Sequence, residues 1–169
     1  QEYQEKKCLS LIAMKQPMAG DLRFIGTALR IIIDMERMAD HAEDIAQITI
    51  DLYDQHYIKP LIDIPRMAAI AAEMIQKAIK AFTDKKSNLA MELIPLENEM
   101  DGLYNQVFSE LLLYMMQDTK NIPQATDLLL AAGHLERIGD HATNFGEMVI
   151  YTIKGERLDL NKMARSQRK

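Results

Sequence analysis

Three pairs of acids share one spacing: Glu36 with Asp40, Glu97 with Asp101, and Glu136 with Asp140 each lie four residues apart. On a helix that spacing puts both carboxylates on one face, about one turn from each other, where like charges repel by a few tenths of a kcal/mol. Carboxylates offer only oxygen donors, which suit Mg, Mn or Fe better than metals that prefer thiolates. Each can also bridge two ions, so a polynuclear cluster is open to them. Asp44 and Asn144 continue two of the lines by a further step of four and could add an oxygen. A solvated acidic face fits the same spacing, with Arg37 and Arg137 neutralising their neighbours through exposed pairs that contribute little.

Two of the pairs sit inside a repeat. The stretch "MERMADHAEDIAQ" (35 to 47) returns as "LERIGDHATNFGE" (135 to 147), with Glu, Arg, Asp, His and Ala in identical places. At about 100° per residue, and with Met35 taken as the core direction, Glu36 falls near 100° and Asp40 near 140°. With Met100 as reference, Glu97 falls near 60° and Asp101 near 100°. The acids are therefore expected at the border of each apolar stripe, at a seam where two helices can face one another. Four carboxylates across such a seam call for a cation between them. His41 and His141 lie roughly 100° beyond each Asp. They are expected to point away from the seam as partly exposed histidines, and His134 reads as incidental.

The elements that must position these groups are helices. From Asp21 to about Tyr53, apolar residues recur at steps of three and four (Leu22, Ile25, Leu29, Ile32, Met35, Met38, Ala42, Ile45), the helical period. Asp21 is the expected N-cap, and Pro17 ends the helix before it. The pattern returns 100 residues on, capped by Asn121, with Pro123 in the first turn and Gly155 as terminator. Residues 63 to 84 form an amphipathic helix. Residues 87 to 117 form another, turning Leu93, Leu96, Met100, Leu103, Val107, Leu111 and Tyr114 inward, with a start or kink near Pro95.

The expected fold is all-α, with two tandem, similar antiparallel three-helix bundles joined by short loops. Residues 1 to 60 form the first repeat, 61 to 155 the second and 156 to 169 a basic, solvated tail. The chain opens on Gln1 within a helix, so the first repeat is expected to lack its opening helix, carried by a segment upstream.

Composition sets further bounds. The 169 residues carry a net charge of −5, without Trp, which argues against a nucleic-acid footprint. Cys8 is the single cysteine. It is expected as a small core residue in a reducing compartment, and the methionines as adaptable core filling. No apolar run reaches the roughly 18 residues of a membrane span, and no grouping proposes a nucleophile.

The two repeat segments, with "QPMAGDLR" (16 to 23), "YMMQDTKNIP" (114 to 123) and "YTIKGE" (151 to 156), resemble the bacterial PhoU family of phosphate-specific transport accessory proteins. That resemblance implies acid pairs that hold metal ions in clusters, which on this chain are Glu36/Asp40, Glu97/Asp101 and Glu136/Asp140. The family's remaining pair would fall before Gln1. The candidate ions are divalent or trivalent: Fe, Mn, Mg or Zn. The resemblance also implies a homodimer, and a regulator rather than an enzyme. It would lie in the cytoplasm, held at the inner face of the membrane through its partners, and couple the ATPase subunit of a phosphate ABC transporter to a sensor histidine kinase, keeping phosphate-starvation genes off. Two rival readings stand beside it. A ferritin-like di-metal enzyme needs Glu-x-x-His pairs in the bundle core, which this chain lacks. A helical scaffold without metal is the other.

Overall fold

The computed structural model describes residues 2–166, and among them every regular element is a helix. The elements are α1 (Glu2–Lys15), α2 (Ala19–Leu52), α3 (Asp63–Thr83), α4 (Ser87–Met91), α5 (Leu93–Gln117), α6 (Ile122–Lys154) and α7 (Leu160–Ser166), with a 3-10 turn (Thr119–Asn121) between α5 and α6. The all-α expectation holds. The expected interruption near Pro95 is a break at Glu92, which separates the short α4 from α5 and leaves Pro95 in the first turn of α5.

The axle of the fold is α6. Small residues let other helices approach it closely: Ala125, Ala132 and Ala142 are fully buried. Gly139 faces Met74 and Met100, and a Cβ on Gly146 would sit 2.4 Å from a Leu93 methyl. Around it α3 contributes Met67, Ala71, Met74, Ala78 and Ala81, and α5 contributes Leu93, Met100, Leu103, Val107 and Leu111. Each large side chain removed from water contributes roughly 1.5–3 kcal/mol, and the flexible thioethers fill the gaps beside the glycines. Gly155 ends α6 with φ +76°, as its position suggests.

On its remaining side α6 carries α2. From Arg23 on α2 to Gln55 just past its end, the partners on α6 and its end descend from Gly155 through His141 and His134 to Gln124, so the helices run antiparallel. The seam on α2 is the line Thr27, Ile31, Asp34, Met38, His41, Ile45, Ile48 and Leu52, all buried or half-buried and spaced alternately by three and four. Met35 is 48% exposed. The core direction assigned to α2 from the sequence was thus rotated by about 60°, because Met35 and Met38 are equally apolar and three residues apart. At the far end Gln124 pins the α2–α3 loop. Its side-chain oxygen accepts from Ile58 N at 2.6 Å, and its amide donates to His56 O and Gln55 Oε1.

Other local expectations change. Asp21 lies inside the first turn of α2 and Met18 holds the N-cap position. Asn121 stands at the start of α6, but its side chain donates to Tyr114 O across the turn, 3.0 Å away, instead of capping. Cys8 is half-buried on α1, a helix with no buried residue. The tail is not solvated: Leu160 and Ala164 of α7 are fully buried, and Leu160 N donates to Glu147 Oε1 at 2.7 Å. Its basic composition masked a two-residue apolar stripe four apart. The expectation for residues 167 to 169 lies outside the described residues.

Candidate metal centre

The second repeat sets its four acids within electrostatic reach of one another. Glu97 and Asp101 project from α5, and Glu136 and Asp140 from the facing turns of α6. Glu97 goes deepest, at 5% exposure, so it is a core position and not the stripe border expected from the angles. Thr143, itself buried, donates its hydroxyl to Glu97 Oε2 at 3.0 Å, and Glu97 also hydrogen-bonds Asp140. A carboxylate at that depth resists ionisation. Burial, then the charges of Asp140 and Asp101, push the Glu97 carboxyl up to about 8, against the pull of Thr143. Glu136 is raised as well, by burial first and then by Asp140 and Asp101, with Arg137 and Arg165 opposing. Arg165 comes from α7, so the tail sets a cation beside the acidic seam.

This environment suits a cation. The seam is half-closed and lined by oxygen donors; burial first, and the neighbouring carboxylates second, favour the protonated form of Glu97, and a metal ion could displace that proton. Gly139 on α6, against Met74 and Met100, keeps the two helices close at this level.

The first repeat does not build an equivalent. Glu36 and Asp40 are exposed on α2; Asp40 lies 3.5 Å from Arg37, and Glu36 borders a groove with Gln4, Ile32 and Met35 between α1 and α2. The histidines are a correction. His141 does lie off the acid seam and all three are half-buried, as expected for His41 and His141, but His134 is not incidental: the three meet between α2 and α6, with the His41 ring 5.3 Å from His134 and 5.9 Å from His141. His141 Nδ1 lies 2.9 Å from Asp34 Oδ1. The signal was in the sequence: measured from Met38, His41 lies within about 60° of the core direction.

Fold and site together define an all-α protein with an acidic, oxygen-lined seam between antiparallel helices. The PhoU domain matches residues 1–49 and 64–149, interrupted at the loop between α2 and α3. The chain belongs to the PhoU family. It is 38% identical over 158 residues to the phosphate-specific transport system accessory protein PhoU homologue of Clostridium acetobutylicum, covering 93% of this chain and 72% of that protein. The Aquifex aeolicus homologue is 40% identical over 152 residues, 90% of this chain and 69% of the relative. The chain spans 65% of the Zymomonas mobilis homologue, at 36% identity over 91% of this chain. Among solved structures, PhoU from Pseudomonas aeruginosa superimposes with a TM-score of 0.85 at 32% identity, covering 89% of this chain and 73% of that one. The phosphate transport system regulatory protein PhoU from Streptococcus pneumoniae gives 0.82 at 28% identity, covering 92% and 72%.

Proposed function

We propose that this chain is a metal-binding regulatory adaptor of phosphate uptake and signalling, in which Glu97, Asp101, Glu136 and Asp140 hold a divalent or trivalent cation, or a cluster of them. The observation that carries the metal part is Glu97 itself, buried between α5 and α6 with its carboxyl pushed up first by that burial, then by Asp140 on the facing helix and by Asp101 one turn along its own. A buried acid with two more carboxylates at hand is costly unless a cation balances the set. Glu36 and Asp40 are the corresponding half-site of the first repeat, open to carboxylates from outside the described residues.

The regulatory part draws on the relatives, named as accessory or regulatory proteins of phosphate transport. In this reading the chain acts in the cytoplasm and forms a homodimer. It reaches the inner face of the membrane through the transporter's ATPase subunit, contacts a sensor histidine kinase and represses the phosphate-starvation response. No described helix is long and apolar enough to cross a membrane, which accords with attachment through partners. Metal binding would bias those partners only so far as the ion favours one conformation over another.

Elemental analysis and metal titration test the first part: the protein should bind ions, and Glu97→Gln with Asp140→Asn should abolish binding at the seam. Absence of bound metal in the parent would remove it. Deleting the gene should raise phosphate-responsive expression in phosphate-rich medium; unchanged expression would remove the regulatory part.

A further inference from the structure

We propose a second metal site, built by His41, His134 and Asp44 between α2 and α6, that takes a single borderline divalent cation of the Zn type. Nothing in the carboxylate seam is required for it. His41 Nδ1 and His134 Nδ1 face each other at 3.1 Å. Asp44 Oδ2 lies 3.4 Å from His134 Nδ1 and 3.9 Å from His41 Nδ1. Among the described residues, this is a group of three metal-ligating side chains whose donor atoms all lie within 4.8 Å of one another.

The edges of that triangle fix where an ion could sit. A point about 2.0 Å from all three donors lies at its centre, which is the bond length Zn makes to imidazole nitrogen and carboxylate oxygen. The three donor atoms are therefore spaced as ligands of one ion, which small side-chain rotations would bring into tetrahedral arrangement with water. Two imidazoles and one carboxylate are a nitrogen-rich set that selects Zn, Co, Ni or Fe(II) over Mg or Ca. The histidine side chains are each 15% exposed and Asp44 is 55% exposed. The nitrogens are thus held by packing, the carboxylate lies at the solvent edge, and water has access to the remaining coordination positions.

The duplication explains why only one such site exists in the α2–α6 seam. A shift of 100 residues turns His41 into His141, Asp34 into His134 and Asp44 into Asn144. Because α2 and α6 run antiparallel, the repeat makes the same contact twice. One copy is His141 with Asp34, an ordinary ion-pair geometry, and the repeat carries the neutral Asn144 where the other copy has Asp44. In the other, histidine replaces the aspartate and Asp44 replaces the asparagine, so a pairwise contact becomes a three-donor site. An ion there would join α2 of the first repeat to α6 of the second.

The test is titration with zinc alone, followed by the histidine ring nitrogens in NMR spectra of the parent protein. His41 and His134 should shift together at about one equivalent, His56 should stay still, and magnesium should move neither of the pair. In protein whose seam is neutralised by Glu97→Gln and Asp140→Asn, one zinc equivalent should still bind. Adding His134→Gln or Asp44→Asn should weaken it by more than the 10–100-fold typical of losing an outer-shell partner. Unmoved His41 and His134 signals under saturating zinc would overturn the proposal, as would unchanged affinity in a folded His134→Gln variant. The contact would then be an interhelical His–His hydrogen bond.

Discussion

Replacing Glu97 by Gln should make the metal-free protein more stable at alkaline pH, although the change removes an acid from the proposed metal site. A carboxyl whose pKa in the fold stands at about 8 keeps a proton that the unfolded chain, near 4.5, has released. The folded state binds more protons throughout that window, so stability falls as pH rises from about 4.5 to about 8 and levels off above. From pH 6 to pH 9 the loss assigned to Glu97 is on the order of 3 kcal/mol. Glu136 and Glu147, both raised by burial first, contribute in the same sense above the ordinary carboxyl range. His41, lowered by burial and by His134 and His141, acts only below its ordinary value of 6.5 and in the opposite sense. The Gln side chain is nearly isosteric, and its carbonyl oxygen can still accept from Thr143. Urea melts in EDTA at pH 6, 7.5 and 9 should give a falling free energy for the parent and a visibly flatter one for Glu97→Gln, with the variant ahead at pH 9. Equal slopes in the two proteins, or a parent whose stability rises over this range, would refute the burial argument.

Three further outcomes follow from packing. Gly146→Ala should destabilise by about 1–3 kcal/mol, because the new Cβ would overlap a methyl of Leu93, itself fully buried; a stabilised variant in thermal melts would contradict that contact. Gly102→Ala, mid-helix in α5 with nothing within 4 Å of its would-be Cβ, should instead gain about 0.5–1 kcal/mol. Leu160→Ala should cost about 2–5 kcal/mol if α7 is docked as described, and a loss near zero in urea titration would return the tail to solvent.

The helices were legible because their apolar positions repeat at steps of three and four, and the stops, Pro17, Gly155 and the break before Pro95, are residues whose backbone chemistry leaves few options. The pairing of Glu97 and Asp101 with Glu136 and Asp140 was legible because the repeat fixed which helices are neighbours. Depth was not. Glu97 reads as a border residue by angle, and only the approach of α6, with Gly139 and Gly146 in place of larger side chains, makes that border a buried interface. The histidine cluster was missed for a related reason. Choosing Met35 over Met38 turned α2 by two thirds of a right angle, and a single helix cannot say which of two methionines its partner covers. Asp34 and His41 lie on the same alternating line as Ile31, Met38 and Ile45, so the pattern was present but looked too polar to be a seam. The tail hid its docking in the same way, behind its charge.

Oxygen ligands from α5 and α6 are proposed to hold metal at one seam. Anomalous scattering from crystals grown with Mn or Fe, recorded on either side of the metal's absorption edge, tests it most directly. Density is expected between Glu97, Asp101, Glu136 and Asp140 at about 2.0–2.2 Å from their oxygens, the range for carboxylate ligands. A seam without anomalous density in metal-saturated crystals, its carboxylates paired instead with Arg165 or sharing protons, would contradict it.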